Sequence, residues 1–159
     1  EEPYSIAITL LEGMKNVFNQ WDVKVLATDI DSNVLAKAKS GVYDEKRIED
    51  IAENYKKKYF HKGSGDNKNK VKVDSSLQKI ITFKQLNLLH EWPLKGPFDI
   101  IFCRNVIIYF DKKTQQELFE RYYDLLAPGG LLMLGHSENL GAYQKYFENV
   151  GRTIFRKPL

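Results

Sequence analysis

The residues 97–110, PFDIIFCRNVIIYF, read as an apolar strand that breaks at Cys103-Arg104-Asn105 and then turns apolar again. Burying Arg104 or Asn105 without a partner would cost about 1–3 kcal/mol or more per group. They must therefore meet solvent, another side chain or a ligand. In an open α/β sheet, ligands bind outside the carboxyl ends of the strands, and other polar residues stand at comparable places. Asp29 ends the run KVLATD, Asn87 closes KQLN, and Gly135-His136-Ser137-Glu138 ends the run LLMLGHSE. A carboxylate such as Asp29 can accept two hydroxyl hydrogens from a ribose diol, or it can serve the cap of the next helix together with Asp31. Asn87 suits an adenine edge or simply the close of a strand. Cys103 suits a small buried hydrophobe better than a nucleophile. His136 has no visible nucleophile or second metal ligand beside it, so local hydrogen bonding is its expected role. Tyr109 follows Asn105 by one helical turn and either packs or walls the site.

The elements that must position these residues alternate in type. Apolar residues at Ile6, Leu10, Leu11, Met14, Val17 and Phe18 mark one helical face, with Pro3 in the first turn. A short buried strand at Val23–Ala27 stops at Asp29. A helix follows, capped by Asp31 or Ser32 and closed by Gly41. The charged stretch 44–59 has helical spacing. KGSGDNKNK is a polar turn between two β segments, VKV and KIITFKQLNLL, which suggests a hairpin. FDIIFC is a second buried strand. Asp111 caps a helix with Leu118, Phe119, Tyr122, Leu125 and Leu126 on its apolar face, ended by Pro128-Gly129-Gly130. LLMLGHSE is a third buried strand, followed by a short helix at 142–147 and a last strand in RTIFRKP. Apolar strands separated by amphipathic helices predict an α/β layer fold with a largely parallel sheet and helices on both faces.

With 159 residues, 43% of them apolar, the chain can hold one domain with its own core. No apolar run reaches the roughly 20 residues that span a bilayer. A net charge of +3 is too small for a nucleic-acid surface. A single cysteine excludes an internal disulfide and cannot by itself build a zinc site, so no metal is expected. Helical periodicity begins almost at the first residue, which is not methionine, as expected of a piece of a longer protein.

In order and spacing, EEPYSIA, ATDIDSNVLAKAKSGVY, LNLL, FDIIFCRNVIIYFD, LLAPGGLLMLGHSE and the terminal FRK resemble the CheR-type chemotaxis receptor methyltransferases. The likeness covers nearly the whole chain. It rests most on FCRNVxIYF with GHSE roughly thirty residues later. It implies a class I S-adenosylmethionine-dependent methyltransferase fold, Rossmann-like, with a small antiparallel β-subdomain inserted at about residues 62–83. The implied reaction moves a methyl group from S-adenosylmethionine to glutamate side chains on the cytoplasmic domains of chemoreceptors, leaving S-adenosylhomocysteine, in the cytoplasm. By resemblance, Glu2 contacts the methionine end or ribose side of the cofactor, and Asp29 takes the ribose hydroxyls. Asn87 and Leu88 frame the adenine. Cys103 and Arg104 line the cofactor with Asn105 beside them. Tyr109 stands near the transferred methyl, and Arg104 and Tyr109 orient the reacting groups. The inserted subdomain is the expected receptor-docking module.

The chemistry is consistent with the absence of a triad or metal cluster in the sequence. A glutamate side chain ordinarily titrates at about 4.3, so it is already a carboxylate nucleophile at neutral pH. In-line displacement at a sulfonium methyl needs positioning and partial drying rather than a general base. The family's glycine-rich cofactor loop, a central strand and a helical N-terminal domain are not within these 159 residues. The isolated chain is therefore expected to bind S-adenosylmethionine weakly or not at all. The alternative reading is a non-catalytic module of the same kind that docks on receptors or senses the cofactor.

Overall fold

The computed structural model describes residues 1–16 and 20–159. They divide into two units, Glu1–Asn87 and Leu88–Leu159. In the first unit, α1 (Glu2–Gly13) carries Pro3 in its first turn. It buries Tyr4, Ala7 and Ile8 and packs Leu11 on the same core. This is a clean i, i+3, i+4, i+7 stripe. Of the expected face, Leu11 alone joins the core, while Ile6 and Leu10 stay half-buried and Val17 and Phe18 lie outside the described residues. The helix is turned so that Tyr4, the larger apolar body, goes inside and its hydroxyl donates to the Ala38 carbonyl at 2.7 Å. That burial pushes the Tyr4 phenol up to about 12.

β1 (Val25–Asp29) pairs in parallel with β5 (Ile81–Gln85), in register from Val25↔Ile81 to Asp29↔Gln85. The sequence suggested a buried β1, but its residues alternate between half-buried and exposed. A two-stranded sheet covers only part of its own surface. α2 (Ser32–Ser40) lies between them in sequence, capped by Asp31 and closed by Gly41 at φ +64°, a left-handed conformation that glycine adopts without penalty.

A three-stranded antiparallel sheet is built from β2 (Val42–Asp44), β3 (Phe60–Lys62) and β4 (Lys70–Val73), with β4 in the middle. The charged stretch before β3 splits into a 3-10 turn, Glu45–Ile48, and α3 (Glu53–Tyr59). The hairpin around the polar turn joins β4 to β3, with Phe60↔Val73 and Lys62↔Val71, and not to the KIITF run. Asp74 accepts the Ser76 N–H at 2.8 Å and starts α4 (Ser75–Ile80), after which β5 leaves to pair with β1. The antiparallel sheet thus lies at residues 42–73, overlapping the expected 62–83 window only in part. The Asp-Ser-Ser cap converts the end of that window into a helix.

In the second unit, β6 (Phe98–Cys103) pairs in parallel with β7 (Leu126–Leu134), and Cys103 stands opposite Leu134. β9 (Ile154–Arg156) runs antiparallel to β7 and to β8 (Glu148–Gly151), giving the order β6-β7-β9-β8. α5 (Lys112–Leu125) begins at Asp111, whose side chain accepts the Thr114 N–H at 2.9 Å, and buries Leu118, Phe119 and Tyr122. Pro128-Gly129-Gly130 does not separate helix from strand. It lies within β7, where the register slips between the pairs Phe98↔Leu126 and Ile100↔Leu131. The short helix expected at 142–147 is a 3-10 turn, Gly141–Tyr146, and β8 had no clear sequence signal. Among the described residues no helix is long and apolar enough to cross a membrane, and no group of three metal-ligating side chains is present.

Candidate active site

The first unit brings Asp29 and Asn87 to the same end of one parallel pair. Asp29 is the last residue of β1, and its carbonyl accepts the Leu86 N–H at 3.0 Å as the chain leaves β5 toward Asn87. Asp31, not Asp29, caps α2, accepting the Asn33 N–H at 2.7 Å. Asp29 Oδ1 accepts the Asp31 N–H at 2.9 Å and so shapes the turn without being the cap. A carboxylate holds acceptor capacity for about four hydrogen bonds, which leaves Asp29 suited to hydroxyl donors as well. Glu2 is exposed in the first turn of α1. Its neighbour Glu1 is gripped by Arg47 through Nε and Nη2, both at 2.7 Å, which lowers the Glu1 carboxyl pKa.

In the second unit, the polar break is the start of a tightly held turn. Cys103 is buried, and its sulfur accepts the Tyr122 hydroxyl at 3.1 Å. Burial drives the Tyr122 phenol pKa far up, so the hydroxyl stays a donor. Tyr122 in turn lies 5.3 Å from the Trp92 ring, and Trp92 Nε1 donates to the Leu88 carbonyl at 3.2 Å. Arg121 Nη1 donates to the same carbonyl at 3.3 Å and to that of His90 at 2.7 Å, with its guanidinium 5.4 Å from the Trp92 ring centre. The segment after Asn87 is thereby tied to α5 and, through Tyr122, to the end of β6.

After Cys103 the chain turns sharply. Asn105 has φ +58°, the left-handed region that asparagine tolerates better than most residues. Six successive N–H groups beyond the strand all have acceptors. Those of Asn105 (2.9 Å), Val106 (2.9 Å), Ile107 (2.8 Å) and Ile108 (3.4 Å) donate to the carboxylate of Glu138, and those of Tyr109 and Phe110 donate to Val106 and Ile107 carbonyls. The Gly135 N–H adds a fifth donor to Glu138, at 2.6 Å. On the carbonyl side, Gln115 Nε2 donates to Ile107 at 3.0 Å and to Phe110 at 2.9 Å. Glu138 is 4% exposed, whereas Tyr109 at the far end of the turn is 81% exposed. A bare carboxylate buried without donors would cost several kcal/mol. Here the charge is met by the backbone N–H dipoles of the turn and of Gly135.

Sequence reading missed Glu138, Gln115, Arg121 and Trp92. GHSE drew attention to His136, but His136 is exposed and Glu138 is the buried residue of the motif. The glycine has its own reason. A Cβ at Gly135 would stand 2.6 Å from Glu138 Oε2 and 2.9 Å from the Asn105 nitrogen. CRN and GHSE are therefore two sides of one contact. The available signal was a lone acid four residues past the apolar run LLML, with no basic partner in sight.

Comparison with known proteins places the chain in a family. Residues 1–156 match the family described as CheR methyltransferase, SAM binding domain. The chain is 46% identical to "Chemotaxis protein methyltransferase 2" of Pseudomonas aeruginosa, over 98% of this chain and 55% of that protein. It is 45% identical to the "Probable chemotaxis protein methyltransferase" of Rhizobium etli, over 98% and 58%, and 44% identical to the "Chemotaxis protein methyltransferase" of Escherichia coli, over 98% and 54%. The chain thus spans a little over half the length of these relatives. Its α/β strands and its small antiparallel sheet are those of a class I methyltransferase, its cofactor is S-adenosylmethionine, and the chain belongs to the CheR methyltransferase SAM-binding domain family.

Proposed function

We propose that this chain is the cofactor-binding and catalytic part of a bacterial cytoplasmic enzyme that methylates glutamate side chains on the cytoplasmic domains of chemoreceptors. The observation that carries this reading is the pinned turn that follows β6. It presents an exposed tyrosine shortly after Arg104, in a chain whose family binds S-adenosylmethionine. Bound S-adenosylmethionine supplies a methyl group activated by a sulfonium. The residues of the chain fit such a group by their chemistry. Asp29 accepts the ribose hydroxyls, Glu2 receives the polar end, and Asn87 offers both a donor and an acceptor to the adenine edge. Leu88, whose carbonyl is already bound by Trp92 and Arg121, offers its apolar side chain to the adenine face. Cys103, Arg104 and Asn105 border the cofactor. Arg104 and Tyr109 orient the receptor carboxylate, one by charge and one by its hydroxyl. A carboxylate oxygen forms the new C–O bond as the S–C bond breaks. No proton has to move, so no base is needed.

Receptor docking is assigned to the antiparallel sheet. Its outer face shows Lys70 and Lys72, and β2 and β3 are its edge strands. Positive charge of this kind attracts acidic helices, and edge strands can pair with an extended segment. Incubation of the full-length protein with S-adenosylmethionine and a receptor cytoplasmic domain should give base-labile methyl esters on receptor glutamates and S-adenosylhomocysteine in equal amount. Receptor binding without ester formation would favour the non-catalytic module instead. Shortening the 62–73 segment should weaken receptor binding while cofactor affinity holds. Loss of both would mark that segment as structural.

A further inference from the structure

We propose that Glu138 is a positioning residue for methyl transfer, its buried carboxylate fixing the turn that carries Arg104 and Tyr109 by gathering the backbone N–H groups of Asn105–Ile108. The proposal rests on the reading above that Tyr109 works beside the transferred methyl. Three features separate this role from ordinary fold maintenance. The bonds converge on one short turn, among the described residues the Gly135 N–H is the one donor from outside it, and a Cβ at Gly135 would stand 2.9 Å from the Asn105 nitrogen. The turn they fix is exposed at its far end, with Ile108 46% and Tyr109 81% accessible. An exposed loop ordinarily satisfies its backbone with water, so tertiary fixation of this one serves what it presents. Finally, a buried charge gains little stability over an apolar core, but it does define a geometry. Five donors need an acceptor-only group, and an amide in the same place would turn its own NH2 toward some of them.

The strand leading into the turn does not depend on Glu138. β6 is held by β7 up to Cys103↔Leu134. Loss of the carboxylate should therefore disturb the residues after Cys103 more than the strand itself. In the full-length protein, Glu138→Gln should lower kcat for receptor methylation about 100-fold, the scale of a displacement near 1 Å. The Kd for S-adenosylhomocysteine should change by less than kcat does, because Asp29, Asn87 and Leu88 lie outside the disturbed turn. Glu138→Asp, which keeps the charge but is one methylene shorter, should recover about tenfold of that loss. Amide exchange should accelerate at Asn105–Ile108 in the Gln variant, while Leu132 and Phe155 in the strand core keep wild-type protection. A kcat within about threefold of wild type in a fully folded Gln variant would overturn the proposal. Equal losses in kcat, affinity and core protection would also overturn it, because they would mark a structural residue. Where the Gln variant does not fold, the Asp variant is read against wild type by the same split. A full-length wild type that forms no receptor esters would refute the proposed function instead. Exchange at Asn105–Ile108 then decides the pin alone: local acceleration supports it and unchanged protection overturns it.

Discussion

The turn after β1 and the turn after β6 occupy corresponding places at the carboxyl ends of parallel strands, yet they are held in different ways. Asp29 and Asp31 organise theirs with bonds that reach two residues ahead, at 2.9 and 2.7 Å. The turn at Asn105–Phe110 is organised by Glu138 from some thirty residues away and by Gln115 from α5. The first can form as soon as its own residues meet, and its stiffness is that of a helix cap. The second exists only when β6, β7 and α5 have assembled. A turn of the first kind can present a carboxylate to a flexible diol. A turn of the second kind can hold a side chain in one place for an in-line displacement, where small displacements are costly.

The sharpest way to break this contrast is Gly135→Ala. Its methyl would collide with Glu138 and the Asn105 backbone, and it should cost about 2–3 kcal/mol in denaturant unfolding of the full-length protein. A cost below that of a helix cap would mean that the distant pin is no stiffer than the local one. Next in size, Asp29→Ala should weaken cofactor binding about tenfold in calorimetric titration, as expected for a charged hydrogen-bond acceptor removed from hydroxyls. Unchanged affinity would remove Asp29 from the site. Asp31→Ala should cost about 1 kcal/mol and speed amide exchange in α2, with cofactor affinity kept within about twofold. An affinity loss equal to that of Asp29→Ala would show that the two acids act as one unit.

The smallest effect concerns Asp74, a third local acid. The Ser76 hydroxyl and N–H, and then His61, hold its carboxyl well below the usual carboxylate range. A lowered folded pKa gives stability that is complete above the unfolded value, at about 3.9, and that fades as pH falls toward the folded one. Wild type should lose more Tm than Asp74→Asn between about pH 6 and about pH 3. Equal slopes would mean that Asp74 contributes nothing to the acid limb.

Local chemistry made much of the fold legible. Asp31, Asp111 and Gly41 act at helix ends as their types predicted, because a cap needs only the residues beside it. The apolar runs of β1, β6 and β7 are strands for the same reason of local pattern. Partner choice was less legible. The KIITF run looked like half of a hairpin, yet β5 pairs in parallel with β1, whose residues lie more than fifty positions earlier. Tyr4, not the more obvious Ile6 and Leu10, leads the buried face of α1, because the carbonyl of Ala38 waits for its hydroxyl.

Local sequence pattern specifies the alternation of helices and strands, the caps, and the polar residues that stand where strands end. It also carries the motif pair by which the family is identified. What joins that pair emerges when the strands assemble. A carboxylate becomes the centre of five backbone donors only after a parallel strand pair has set β7's end beside that of β6. The cost of burying its charge and the gain from those donors arise together, in a contact between residues that are distant in the chain.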